Sequence, residues 1–271
     1  MSPILFNVYV DNLIEQLSNS GYGCHIGKSF MGCIMYADDL LLMSPSIIGM
    51  QHLLDICTVY GKLHNIIFNA LKTVIFAVGN HNMFRPSMFI AEQIVSWVEG
   101  CKYLGVSFIA RSHLLVDVAP IKRKFYAALN SVFSRSSTLH EPVKLQLVHS
   151  FCLPLLVYCV GALELSVSSL RELGVCWNDA FRKIFGYNRW ESVKVLQFFC
   201  GCLDFVHIYD LFRLRFLSQV VKKLPFISSS YASLELKFHT LENLIKFYGA
   251  YNCSFSVAVY EHFCNSQLHV I

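Results

Sequence analysis

Gly32-Cys33-Ile34-Met35-Tyr36-Ala37-Asp38-Asp39-Leu40-Leu41-Leu42-Met43 decides the reading of this chain, because it encloses two adjacent carboxylates in apolar sequence. Each apolar flank reads as a short buried strand, which places Asp38 and Asp39 at the turn of a β-hairpin. Two like charges side by side in apolar surroundings are costly, since each loses water and repels the other. A bound divalent cation relieves both costs, and paired acids of this kind hold magnesium at phosphoryl-transfer sites. Aspartate also favours ordinary exposed turns, so the pair gains its meaning from what surrounds it.

Upstream, Leu5, Val8, Leu13 and Leu17 fall on one side of Pro3–Leu17, with Asp11, Asn12 and Glu15 on the other. This is an amphipathic helix opened by a proline and ended by Gly21 and Gly23. Strands are expected near Cys24–Met35 and Leu40–Met43. Ser44-Pro45-Ser46 then breaks the chain and caps a second helix, where Ile48, Leu53, Leu54, Ile56 and Tyr60 recur at helical spacing up to Gly61. Ile66–Phe68 and Thr73–Val78 read as short strands around the turn Asn69-Ala70-Leu71-Lys72. Phe89–Val98 reads as one strand of a hairpin with Lys102–Ile109. Helix, hairpin, helix and strands in this order give an α+β fold with an antiparallel sheet.

From Pro120 onward the pattern becomes helix after helix. Pro120-Ile121-Lys122-Arg123-Lys124 opens one and Glu141-Pro142 another. Val175–Phe185 is amphipathic, with Arg182 and Lys183 on its polar side. Tyr209–Lys223 sets Arg213, Lys222 and Lys223 among apolar residues. The domain boundary is expected near Ser112–Ala119, and the last forty residues are left unassigned.

Composition narrows the class. Charged residues make up 15% of the 271 and mean hydropathy is +0.48, which argues against disorder over most of the length. The longest uncharged apolar run, Phe151–Leu163, contains Pro154 and falls short of the roughly 20 residues a membrane span needs. It reads as a buried helix, and no membrane association is expected. Without a basic stretch followed by an apolar one at the start, the chain reads as intracellular, with nothing to separate nucleus from cytoplasm. The eleven cysteines contain no C-x-x-C pair. Cys200 and Cys202 with His207, and His262 between Cys253 and Cys264, lack the second half of a zinc site, so buried reduced thiols are expected.

The net charge of +4 is unevenly placed. Residues 1–100 carry four Lys/Arg against seven Asp/Glu, and residues 101–271 carry eighteen against eleven. An acidic, metal-holding first part and a basic second part suit a polyanion lying across both.

Four segments together resemble the reverse transcriptases of non-LTR (LINE-type) retrotransposons. Ser2-Pro3-Ile4-Leu5-Phe6-Asn7-Val8-Tyr9-Val10-Asp11-Asn12-Leu13 resembles motif B and its helix, and Tyr36-Ala37-Asp38-Asp39-Leu40 resembles motif C. Phe68-Asn69-Ala70-Leu71-Lys72-Thr73 resembles the motif D turn, and Tyr103-Leu104-Gly105-Val106 the strand that supports the primer terminus. Further on, Leu153–Tyr158 and Ala180–Gly186 look like the helical thumb and linker of the same elements. The resemblance implies a partial polymerase palm over 1–111, motifs B to E, and a thumb/linker-like helical region over 112–271. It implies catalytic roles for Asp38, Asp39 and Lys72, with Asp38 and Asp39 as ligands of Mg²⁺, or of Mn²⁺ in its place. It also implies that Tyr36, Tyr103 and Gly105 lie along an RNA template and DNA primer.

In that family a further catalytic aspartate, in motif A, lies several tens of residues before the hairpin. Here only Asp11 and Glu15 precede Tyr36 among the acids, and both read as solvated helix residues. The expectation is therefore an N-terminally truncated palm, weak in metal binding and inactive alone unless another chain supplies the fingers and motif A. Lys72 reads equally as a solvated turn lysine. The alternative function is a non-catalytic nucleic-acid-binding module, in which Lys122, Arg123, Lys124, Arg182, Lys183, Lys222 and Lys223 contact phosphates; the same clusters also read as solvated helix faces.

Overall fold

The computed structural model describes residues 3–79, 84–136, 138–223, 243–244, 246–248, 258–259, 261–263 and 265. It divides into two compact units, Met1–Cys101 with Ala110–Leu114, and Lys102–Ile109 with Leu115–Ile271.

The first unit is built on two helices, α1 (Pro3–Asn19) and α2 (Ile47–His64). Val10, Leu13 and Leu17 are buried along α1 at helical spacing, while Asp11 and Glu15 face water. The Ser46 hydroxyl accepts the Gly49 N–H at 3.0 Å and so caps α2; Asn65 closes it with φ of 54°. Leu13, Leu17, Leu53, Cys57 and Tyr60 form one core between the helices. Two tyrosines lock the pair: Tyr60 donates to the Tyr9 carbonyl at 2.9 Å, and Tyr9 donates to the His64 carbonyl at 2.6 Å.

Between the helices run two small hairpins. β1 (His25–Ile26) pairs with β2 (Ser29–Phe30), and β3 (Cys33–Tyr36) pairs with β4 (Asp39–Leu42), all antiparallel. The single long strand expected from Cys24 to Met35 is therefore broken, because the positive φ of Gly27 turns the chain back at 61°.

The other face of α2 holds a three-stranded sheet of β5 (Val74–Ile75), β6 (Met88–Ile90) and β7 (Gln93–Trp97), in the order β5-β7-β6. Leu54 packs there with Ala70, Ile75, Met88, Ile90 and Val95. Gln51 completes the attachment as a side-chain mimic of a strand: its amide donates to the Phe89 carbonyl and accepts the Phe89 N–H, both at 2.9 Å. One pair, β5 with β7, is parallel. Phe89–Val98 is not one strand, since Ala91 and Glu92 both take positive φ, 47° and 66°, and fold β6 onto β7. Ile66–Phe68 is irregular, because α2 runs three residues beyond Gly61 and Phe68 packs into the cores beside it.

Strands β8 (Gly100–Tyr103), β9 (Val106–Ala110) and β10 (Leu114–Val116) form a second three-stranded sheet, in the order β10-β9-β8. Among the described residues the elements that follow are helices: α3 (Ala119–Arg135), α4 (Glu141–Phe151), α5 (Leu153–Val157), α6 (Val167–Phe185), α7 (Lys194–Phe199) and α8 (Phe205–Lys223). Its core surrounds Trp177, fully buried with Phe125, Leu129, Val148, Leu156, Leu173, Phe181 and Phe205, and the indole N–H donates to the Leu203 carbonyl at 3.0 Å. The run from Phe151 to Leu163 is not one helix. Pro154 sits in the first turn of α5, Cys159 takes φ of 56°, and Gly161 lies so close to Phe212 that a Cβ would meet its carbonyl oxygen at 2.5 Å.

The cysteines that the structure describes are free. Burial pushes the thiol of Cys33 up to about 11 and that of Cys57 to about 12, so neither ionises near neutral pH. Most of the last forty residues lie outside the described residues. Among the described residues, no helix is long and apolar enough to cross a membrane.

Two glycines separate packing from backbone strain. Gly186 takes φ of 72° with open space beside it, whereas Gly161 faces the Phe212 backbone. Gly186→Ala is expected to cost about 1 kcal/mol, and Gly161→Ala more than about 2 kcal/mol through overpacking. Urea unfolding of the two variants checks the order; equal losses would contradict the packing at Gly161.

Candidate active site

The acidic pair sits at the end of a tight hairpin. Tyr36 and Asp39 are directly opposed across β3 and β4, which leaves Ala37 and Asp38 as the two-residue loop. Ala37 takes φ of 52° and Asp38 does not, the sign pattern of a type II′ turn, whose twist matches that of the flanking strands. Side chains alternate along each strand, so Cys33, Met35, Leu40 and Leu42 share one face and Ile34, Tyr36, Asp39 and Leu41 the other. Cys33, Leu40 and Leu42 pack on the α1–α2 core. Tyr36 and Asp39 therefore point away from it, and Tyr36 is 65% exposed.

This corrects the expectation of buried flanks. Asp38 and Asp39 are both exposed, β3 alternates between half-buried and exposed residues, and the desolvation cost argued from the apolar flanks is not incurred. The apolar residues around the acids are there to hold the hairpin down. What reaches the tip is two carboxylates exposed to water.

An all-oxygen pair of this kind fits Mg²⁺, which is commonly held by one or two carboxylates together with substrate phosphates and water. Among the described residues, no group of three or more His, Cys, Asp or Glu side chains is placed to hold a metal ion. The cysteine–histidine approach noted near residue 200 is spent on other contacts. His207 Nδ1 lies 2.6 Å from Asp204 and its Nε2 3.3 Å from His262, while Cys202 Sγ lies 3.3 Å from His149.

Lys72 ends the loop between α2 and β5. The Asn69 side-chain oxygen accepts the N–H groups of Leu71 and Lys72 at 3.0 and 3.3 Å, and Thr73 returns to the Asn69 carbonyl. This Asx turn fixes the backbone and leaves the Lys72 side chain exposed, with no ion-pair partner among the described residues.

Tyr103 and Gly105 flank the β8–β9 turn. Leu104 and Gly105 have φ of 45° and 84°, the two positive values of a type I′ hairpin. Tyr158, absent from the sequence-derived site, braces this turn: its hydroxyl donates to the Leu104 carbonyl at 3.0 Å, and a Cβ on Gly105 would meet its ring at 3.1 Å. Gly105 is thus required both by its dihedral and by the tyrosine against it.

The cationic candidates separate into two groups. Lys122 pairs with Glu172 at 2.7 Å, and the hydrogen bond to that carboxylate holds its ammonium above the usual lysine range. Arg182 bonds Asp179 at 2.9 Å and the Glu191 carbonyl at 3.2 and 3.0 Å. Lys183 donates to Asn130 at 2.6 Å and lies 4.8 Å over the Phe133 ring. Arg123 and Lys124 are exposed and have no ion pair among the described residues; Lys222 is likewise exposed.

Residues 1–108 match the family model described as reverse transcriptase (RNA-dependent DNA polymerase). The chain is also similar to the Retrovirus-related Pol polyprotein from type-2 retrotransposable element R2DM of Drosophila melanogaster. The two are 27% identical over 168 residues, 56% of this chain and 16% of that protein. The chain thus spans about a sixth of the relative's length, and the matched 56% is more than residues 1–108, so the likeness continues into the helical region. Residues 1–108, which carry the two-acid hairpin, thus match the reverse transcriptase family model, and the chain is similar to part of a retrotransposon Pol protein.

Proposed function

We propose that this chain carries the metal-holding half of an RNA-directed DNA polymerase site, with a partial palm over residues 1–111 and a thumb/linker-like region over 112–271. One observation carries the reading: Asp38 and Asp39 stand at an exposed turn whose strands are fastened from beneath to the α1–α2 core. A rigid tip with two free carboxylates has the chemistry that nucleotidyl transfer needs, which is chiefly neutralisation of charge and in-line positioning.

In this reading Asp38 is a direct ligand of Mg²⁺, or of Mn²⁺ in its place, and Asp39 is the second. When bound, the metal activates the primer hydroxyl and neutralises the leaving pyrophosphate. Tyr36, on the same face as Asp39, lies against the primer end. Lys72 turns its unpaired ammonium to the nucleotide phosphates, and the braced turn at Tyr103 and Gly105 supports the primer strand. An RNA template and a DNA primer are the substrates. Two carboxylates leave octahedral Mg²⁺ dependent on further oxygen ligands, and in this reading another chain supplies a third acid and the fingers.

Primer extension on an RNA template tests this. The chain alone is expected to extend no more than its Asp38→Ala, Asp39→Ala variant, with either metal. Extension that depends on these two residues would show that the third carboxylate lies within the chain, against the reading.

The cations make a separate prediction. On a primer–template duplex, Arg123→Gln with Lys124→Gln is expected to flatten the log–log salt dependence of binding by about 1.8, from roughly 0.9 per lost phosphate contact. Arg182→Gln is expected instead to lower unfolding stability by about 2 kcal/mol, since it removes charged hydrogen bonds of a half-buried group. Filter binding across a salt series and denaturant unfolding read the two effects.

A further inference from the structure

The loop that leaves α6 is built as a rigid mount for exposed aromatic rings. Gly186 closes the helix, and the Tyr187 N–H returns to the Arg182 carbonyl at 3.0 Å. The following residues fold on themselves: the Glu191 N–H donates to the Asn188 carbonyl at 3.1 Å, and the Glu191 carboxylate accepts the Asn188 N–H. Arg182 clamps the far end by donating from Nε and Nη2 to the Glu191 carbonyl. Arg182 is itself held by Asp179, whose other oxygen accepts the Tyr126 hydroxyl at 2.7 Å. Backbone polar groups are thus satisfied inward, through a chain of bonds that ends on α3.

The outward side is different. Trp190 is 84% exposed and Tyr187 43%, with Arg189 exposed between them. A tryptophan left so open is unusual, because its large apolar surface favours burial. The other two in the chain are used internally: Trp177 is buried, and the Trp97 indole N–H donates to the Pro86 carbonyl at 2.7 Å. Trp190 makes no hydrogen bond or ring contact among the described residues.

We propose that Tyr187, Arg189 and Trp190 bind single-stranded nucleic acid, with unpaired bases stacked on the two rings and Arg189 on the phosphate backbone. Stacking platforms of this kind combine exposed aromatics with positive charge and tolerate any base, because every base has a π-face. A protein partner would also use Trp, Tyr and Arg. The loop Gly186-Tyr187-Asn188-Arg189-Trp190-Glu191-Ser192 has no aliphatic side chain to form a dry rim, however, and residues 101–271 carry eighteen Lys/Arg against eleven Asp/Glu. Lys183 and Lys194, on the helices before and after the loop, are exposed. Glu191 is the acid within the loop, and its carboxylate is turned onto the Asn188 N–H. The assignment needs neither metal nor catalysis and stands apart from the reading of Asp38 and Asp39.

The test is a titration of the full chain, in a chelator, with a short single-stranded oligonucleotide, the matching duplex, and inorganic polyphosphate as a polyanion without bases. Tryptophan emission and anisotropy of the labelled oligonucleotide are followed together. The single strand is expected to quench emission and polyphosphate not to. Trp190→Ala should weaken binding about 5- to 160-fold, the range for loss of one stacked base, without changing the salt slope. Arg189→Gln should lower that slope by about 0.7, one single-strand phosphate contact. Trp190→Phe should restore most of the affinity while the quench is lost. Thermal melts of these surface variants should match the parent. Wild-type affinity in the Trp190→Ala, Tyr187→Ala double variant, quenching by polyphosphate equal to that by the oligonucleotide, or no single-strand binding at all would each overturn the proposal.

Discussion

Leu53 and Leu54 are neighbours on α2, and both are buried, but in different cores. Leu53 faces α1 and the hairpin that carries the acids; Leu54 faces the β5-β7-β6 sheet. The first unit depends on this double burial. A helix apolar on two sides must be covered on two sides, and the cover on one of them is α1 together with Cys33, Leu40 and Leu42. The hairpin is therefore held by its inner face alone, with its outer face and its tip in water.

That constraint explains how an acidic tip can be both rigid and exposed. β3 and β4 form a two-stranded sheet, and such a ribbon alone is marginal in water. Packing on α1 and α2 supplies the missing stability, and a two-residue turn fixes Asp38 relative to Asp39. Neither carboxylate is buried, so a cation reaching the tip meets both side chains in water. The same design recurs in the second unit at the Leu104-Gly105 turn, where Tyr158 does the bracing. In both places the turn is defined by its dihedrals and held by a side chain or core beneath it.

Much of this was legible in the residues. Helical spacing of apolar side chains, Ser46 as a cap and the two acids between apolar runs were enough to place α1, α2 and the β3–β4 hairpin. Local signals failed where a turn was made without glycine: Ala91 and Glu92 both adopt positive φ, and nothing in their identity marks a break in Phe89–Val98. They failed also where one side chain reached across sequence. Gln51 finds Phe89 thirty-eight positions away, and Tyr158 finds Leu104 fifty-four away, contacts that no periodicity encodes. The basic clusters show the same limit, since Lys122 and Arg123 are neighbours in sequence yet one is paired with Glu172 and the other faces water. The acids are exposed although their neighbours are apolar, because alternation along a strand buries only one of its two faces.

The central claim is that the tip formed by Asp38 and Asp39 is a cation site, weak because its ligands are only two. Mn²⁺ titration of the chain, followed by electron paramagnetic resonance and repeated on the Asp38→Asn, Asp39→Asn variant, addresses it without catalysis. The account predicts a weak class of bound Mn²⁺ in the parent that disappears in a variant with an unchanged melt. Identical binding curves for the two proteins would contradict it.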